Sequence, residues 1–132
     1  MSRPVTGVDM TREEANAFAV EWAAAWNERA VERVLGRFSE NITFTSPTAL
    51  AVVGTGTVRG KAALRAYWTS AMSRIGSLRF AIDRVVFDPV TRELAIVYGS
   101  DIDGRTRRVS ENLLFGSDGL ILSAEVFHGM MG

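Results

Sequence analysis

Residues 78–129 read LRFAIDRVVFDPVTRELAIVYGSDIDGRTRRVSENLLFGSDGLILSAEVFHG, and the spacing of apolar side chains in this stretch decides the fold. The period is two, as half-buried strands require. Strands are predicted over 78–87, 93–100, 105–115 and 120–129. The breaks between them are Asp88-Pro89-Val90-Thr91, the turn dipeptide Asp103-Gly104, and Gly116-Ser117-Asp118-Gly119. Four strands joined by short turns form an antiparallel meander.

Upstream the period changes to that of a helix. Thr11-Arg12-Glu13-Glu14 has the capping-box pattern, with a hydroxyl and a carboxylate each accepting from the other residue's backbone N–H. Ala15, Phe18, Ala19, Trp22 and Trp26 then form one stripe, and Asn27 ends it. A short second helix carries Val31, Val34, Leu35 and Phe38 on one face. Strand-like alternation follows over 41–46, stopped by Pro47, which has no N–H to give a ladder. Residues 47–56 read as an apolar loop, too greasy to lie fully in water, and 57–59 as a short strand. After Gly60 a third helix carries Leu64, Tyr67, Trp68, Ala71, Met72 and Ile75. Helices first and a meander last predict an α+β domain, with three N-terminal helices packed into a strongly curved sheet around an apolar pocket.

The chain has 132 residues, 47% hydrophobic and 23% charged, which suits one globular domain. The domain is assigned to 11–132, preceded by a flexible segment over 1–10. Fifteen basic and fifteen acidic residues give zero net charge, so no electrostatic footprint for nucleic acid or an anionic membrane is expected. There is no cysteine, which excludes disulfides and thiolate metal sites. The start lacks a signal-peptide pattern, and a cytoplasmic location is expected. No metal-ligand cluster or phosphate-binding loop is evident, and no cofactor is expected.

The last hairpin assigns faces. With Phe115 opposite Leu120, one face holds Val109, Glu111, Leu113, Phe115, Leu120, Leu122, Ala124, Val126 and His128. The other holds Arg108, Ser110, Asn112, Leu114, Ile121, Ser123, Glu125 and Phe127. The first face is apolar except for Glu111 and His128, so it should meet the helices. A carboxyl and an imidazole on a core face need hydrogen-bond partners. Two readings stay open for each. Glu111 is either the structural partner of Arg107 or another arginine, or a functional acid. His128, the single histidine, is either a satisfied or partly exposed side chain or a proton carrier. Trp22, Trp26, Tyr67 and Trp68 fit plain core and pocket wall alike.

Several stretches together resemble a known family. They are Trp26-Asn27-Glu28-Arg29, the run from Phe38 through Asn41-Ile42-Thr43-Phe44-Thr45-Ser46-Pro47, Gly60-Lys61-Ala62-Ala63-Leu64-Arg65-Ala66-Tyr67-Trp68, and Phe115-Gly116-Ser117-Asp118-Gly119-Leu120-Ile121. Their order and spacing over residues 11–129 are similar to the SnoaL-like branch of the nuclear-transport-factor-2-like, or cystatin-like, superfamily. This includes ketosteroid isomerases, polyketide cyclases, dehydratases and non-catalytic members. The resemblance implies helices on a mixed, mainly antiparallel sheet that forms a cone-shaped pocket, and dimers through the outer sheet face. It also implies sites. The isomerase base, an Asp before a Pro, falls on Ser46, and the oxyanion-binding tyrosine on Trp22. The carboxylic acid of the oxyanion hole falls on Glu111. A serine is not a sufficient base for enolisation, and an indole N–H donates without shuttling protons, so the isomerase mechanism is disfavoured.

The functional expectation is a pocket for a small, largely apolar, ring-containing molecule. Glu111 and His128 would be the catalytic pair if there is acid–base turnover of isomerase, cyclase or dehydratase type. Trp22, Trp26, Phe44, Ser46, Tyr67, Trp68, Leu113 and Val126 would hold the ligand. The alternative is a non-catalytic binding or dimerisation domain. Leu114, Ile121 and Phe127 are expected to form an outer patch through which two copies associate.

Overall fold

A computed structural model describes residues 10–131. The expected flexible segment 1–10 thus lies, apart from Met10, outside the described residues. The elements run α1 (Arg12–Asn27), α2 (Val31–Leu35), β1 (Phe38–Thr45), α3 (Pro47–Val53), β2 (Thr57–Arg59), α4 (Lys61–Ser73), β3 (Leu78–Asp88), β4 (Glu93–Ile102), β5 (Arg105–Phe115) and β6 (Ile121–Met131). The six strands form one open mixed sheet in the order β2-β1-β6-β5-β4-β3. Neighbours are antiparallel except β1 and β6, which run parallel.

Helix α1 starts where its capping box sets it. Glu14 N–H donates to Thr11 Oγ1 at 3.1 Å, and Thr11 N–H donates to Glu14 Oε1 at 2.9 Å. Its stripe of Ala15, Phe18, Ala19, Trp22 and Trp26 is buried. Its last residue, Asn27, is fastened to the edge strand: Nδ2 donates to Phe80 O at 3.0 Å and Oδ1 accepts from Phe80 N at 2.7 Å. The aromatic contacts show which strands the helices cover. Phe18 meets Phe115 edge-on at 5.4 Å, Trp22 meets Tyr98 at 5.1 Å, and Trp68 of α4 meets Phe44 at 5.4 Å. Helix α1 therefore lies over β3 to β5 and α4 over β1. The sheet curves around both, helped by irregularities in β3 near Ile82 and in the β5–β6 pair.

Two sequence expectations change. The stretch 47–56 is not all loop, because 47–53 forms α3 and brings the helices to four among the described residues. Ser46 Oγ accepts from Thr48 N–H at 3.2 Å, and Pro47 takes the first helical position, where a missing N–H costs nothing. Gly54, at φ 79°, closes the helix in the left-handed conformation.

The second change is the register of the last hairpin. Phe115 pairs with Ile121 rather than Leu120, and Glu111 faces Val126 rather than Ala124. Leu122 is an extra residue between the Leu114–Ser123 and Phe115–Ile121 pairs, and such a bulge turns its neighbours to the opposite face. Ile121 is consequently fully buried, and Leu122 is 41% exposed. The expectation that Ile121 belongs to the outer patch is therefore corrected. Beyond the bulge, Ala124 and Val126 point into the core as expected.

Candidate functional site

The alternation of β5 generates the site. Arg105, Arg107, Val109 and Glu111 follow one another on the inward face, and all four line a cavity of about 360 Å³ between sheet and helices. Val126 and His128 of β6 stand beside them, since Glu111 pairs with Val126 and Val109 with His128. Tyr98 and Phe80 continue the wall on β4 and β3. Trp26 of α1 and Tyr67, Trp68 and Met72 of α4 close it from above. Phe44, Ser46 and Thr48 complete it at the β1 end.

Eight of the expected site residues thus meet around one space: Trp26, Phe44, Ser46, Tyr67, Trp68, Glu111, Val126 and His128. Two do not reach it. Leu113 is fully buried two residues further along β5, inside the core. Trp22 stacks on Phe80 at 5.7 Å and meets Tyr98 edge-on, and its Nε1 is buried with no hydrogen-bond partner among the described residues. Tyr98 and Phe80 were missed from sequence. The signal for Tyr98 was present. A two-residue turn at Asp103-Gly104 pairs Ile102 with Arg105, which carries Tyr98 opposite Val109 and diagonal to Glu111 on the same face.

Glu111 is 5% exposed. Among the described residues its hydrogen-bond partner is the Tyr98 hydroxyl, which donates to Oε1 across a long 3.5 Å. Burial disfavours the carboxylate and pushes its pKa up to about 8, with the Tyr98 bond opposing in part. At neutral pH Glu111 is therefore mainly a carboxylic acid, able to donate. No arginine pairs with it among the described residues. Arg107, the partner considered from sequence, instead places Nη1 2.6 Å from His128 Nδ1. A guanidinium only donates, so Nδ1 must present its lone pair and the imidazole proton resides on Nε2. Burial, and then the charge of Arg107, lower the His128 pKa and keep the ring neutral. His128 is thereby a fixed donor rather than a ready base.

The phenols are held protonated as well. Burial raises Tyr98 well above its ordinary value, with the Glu111 charge adding to it. Tyr67 is pushed up to about 12 by burial, while the Ser46 side chain opposes and Glu111 adds a smaller rise. The cavity therefore offers several neutral donors to whatever acceptor enters it. Among the described residues no three His, Asp or Glu side chains converge on a possible metal position. No described helix is long and apolar enough to cross a membrane.

None of the curated proteins matches the sequence. Among solved structures, a SnoaL-like protein of unknown function from Burkholderia thailandensis is 26% identical. The match covers 93% of this chain and 100% of that one, with a TM-score of 0.82. BvnE pinacolase from Penicillium brevicompactum shares the fold at 14% identity, covering 97% and 88% of the two chains with a TM-score of 0.73. SalBIII, an epoxide hydrolase/cyclase-like enzyme in pyran ring formation in the polyether salinomycin, shares it at 19% identity, with 89% and 92% covered and a TM-score of 0.69. The family model for the SnoaL-like domain matches residues 19–111, which run from the middle of α1 to the buried carboxyl of Glu111, and the chain belongs to that family.

Proposed function

We propose that the cavity takes a small, largely apolar, ring-containing molecule with an acceptor oxygen, and that Glu111 in its acid form donates to that oxygen. The observation that carries this reading is the placement of one buried carboxyl, kept in its acid form by burial, in a wall that is largely aromatic and aliphatic. Donors aimed at a point where negative charge develops favour isomerase, cyclase or dehydratase chemistry. Tyr98 and the Nε2–H of His128 are further donors in the same wall. A cavity of about 360 Å³ fits the lower range of small-molecule sites. The pinacolase and cyclase-like activities of two structural neighbours agree with carbonyl or ring-closing chemistry in such a hollow.

A binding protein without turnover is the second reading, and Ser46 favours it. The family resemblance puts this hydroxyl in the place of an isomerase-type base, and here it is engaged as the cap of α3. One experiment separates the two readings. A cyclic ketone is first screened for a rise in melting temperature, since a ligand of the native state stabilises it. It is then incubated with protein in heavy water. Exchange of its α-protons that vanishes in Glu111→Gln supports turnover, while stabilisation without exchange supports binding alone. Ring ketones and phenols that leave the melting temperature unmoved would remove both.

A further inference from the structure

Two further buried polar side chains, Ser46 and Tyr67, share the cavity wall with Glu111. The register of the sheet sets Ser46 at the level of Glu111. Thr45 of β1 lies beside Glu125 of β6, so Ser46, the next residue, comes beside Val126, and Val126 pairs with Glu111. Ser46, Val126 and Glu111 thus form one row across three strands, and all three line the cavity. Neighbouring strands lie about 4.8 Å apart, so the α-carbons of Ser46 and Glu111 are roughly 10 Å apart. Tyr67 reaches the Ser46 end from α4, its ring 6.1 Å from that of Phe44. The cavity therefore has two polar poles with the apolar Val126 between them: Glu111 with Tyr98, and Ser46 with Tyr67.

The second pole has a direction. Thr48 N–H donates to Ser46 Oγ at 3.2 Å, which engages that oxygen as an acceptor. The Ser46 side chain in turn favours the charged form of the Tyr67 phenol, against the effect of burial. A hydroxyl does this by pointing its proton at the phenol oxygen. Donation thus runs from Thr48 N–H to Ser46, and from Ser46 to Tyr67. Burial outweighs Ser46 and pushes the phenol up to about 12, so Tyr67 keeps its own proton at neutral pH. A phenol oxygen that accepts one hydrogen bond can still donate another, and the open space it borders is the cavity. The charge of Glu111 reaches the phenol as well, as the smallest of the three influences on it. Both poles therefore donate into one volume. A ligand with a single oxygen would satisfy one pole and set carbon against the other, and a buried donor left unmet is costly.

We propose that the ligand carries two acceptor oxygens on opposite sides of its ring system, one met by Glu111 and Tyr98, the other by Tyr67, with Ser46 as the positioning residue of that phenol. The inference rests on the reading of the cavity as a ligand site and adds the number and placing of the ligand's oxygens. The class it names is a cyclic diketone rather than a ring with one carbonyl.

The test is isothermal titration calorimetry at neutral pH with trans-decalin-1,5-dione and trans-1-decalone, which differ by one carbonyl. The dione is expected to bind about ten-fold more tightly, the worth of one well-made buried hydrogen bond. In Tyr67→Phe, which keeps the ring and its packing, that ratio is expected to fall to about one, with the affinity for the decalone changed much less. Ser46→Ala is expected to lower the ratio several-fold, and Ser46→Thr, which retains a hydroxyl for the cap and for Tyr67, to restore it. Loss of the cap as a purely structural effect would weaken both ketones alike and leave their ratio unmoved, which would strip Ser46 of the positioning role. Equal binding of the two ketones by the unaltered protein overturns the proposal and leaves the cavity standing as a site for one acceptor. A preference for the dione that survives Tyr67→Phe overturns it too, because the second oxygen would then be met elsewhere. Failure of both ketones to bind removes the ligand site itself.

Discussion

The Tyr98 hydroxyl donates to Glu111 Oε1 over 3.5 Å, and among the described residues this long bond is the one hydrogen bond to a carboxyl that is otherwise desolvated. The expected result is a Glu111 titration near pH 8, observed by carbon NMR on glutamate-labelled protein. Tyr98→Phe removes the bond that favours the charged form, so the midpoint should move higher still. A Glu111 midpoint near its ordinary 4.5 would take the residue out of the proposed chemistry.

The same shift has a consequence for stability. The folded-state pKa lies above the unfolded one, so between pH 4.5 and about 8 the folded protein holds a proton that the unfolded chain releases. Stability should fall as pH rises through this window, by up to about 1.4 kcal/mol per pH unit from this group. Glu111→Gln has no such proton to lose. Urea titrations from pH 5 to 8 should show a smaller decline in the variant than in the unaltered protein, and parallel declines would mean that Glu111 is solvated.

His128 is expected to behave in the opposite sense. Its folded-state pKa lies below 6.5, so the unfolded chain takes up the proton first as pH falls, and its contribution to stability drops below that value. Long-range proton–nitrogen correlation spectra should show the Nε2–H tautomer at pH 7. Arg107→Gln should shift the titration part of the way back towards 6.5, because burial, the larger cause, remains. An Nδ1–H tautomer would show that the contact with Arg107 is not made in solution.

Ser46 joins a structural and a chemical question. Its hydroxyl caps α3 through Thr48 N–H, so Ser46→Ala should cost about 1 kcal/mol, and Ser46→Asp, which keeps an accepting oxygen, much less. The unaltered protein is expected to leave a β,γ-unsaturated ketosteroid unchanged, and Ser46→Asp to give at most a trace of isomerisation. Efficient turnover by the unaltered protein would show that its base lies at another residue.

What sequence revealed follows from how local each signal is. The cap at Thr11 and the stripe ending at Trp26 are set within a few turns of helix, and both were legible. The strands over 78–129 were legible because one face of each is buried and the period of two survives. Helix α3 was not, although Ser46 before Pro47 and Gly54 after Val53 are a start and a stop signal. Its seven residues are too few for a stripe to emerge. The bulge at Leu122 could not be read, because Leu120-Ile121-Leu122 is apolar at every position and alternation has nothing to distinguish. The inward direction of Glu111 was legible from Leu113 and Phe115 beside it. Its partner Tyr98 needed the register of a second hairpin, and the Arg107–His128 contact needed coordinates.

The final prediction concerns the outer face of the sheet, where we propose that two copies of this chain meet. Phe127 is 47% exposed and pairs with Ser110, which in turn pairs with Val97. One row further, Ala95 pairs with Val86, which is 57% exposed. Leu114 and Leu122, 38% and 41% exposed, lie beyond, with Leu122 in the place first assigned to Ile121. These side chains share the face that no described helix covers, with Asn112, Ser123 and Glu125 among them, and apolar anchors in a polar surround are the usual anatomy of a contact surface. A two-fold axis through the face sets the same residues of both copies against each other, so one surface suffices for both partners. Zero net charge adds little long-range repulsion. Sedimentation equilibrium at micromolar concentration should give twice 14.4 kDa. Phe127→Glu should then sediment as the single chain, because its carboxylate would be buried unpaired in the contact. A single-chain mass for the unaltered protein would rule out the association, and a dimeric Phe127→Glu protein would place the contact on another face.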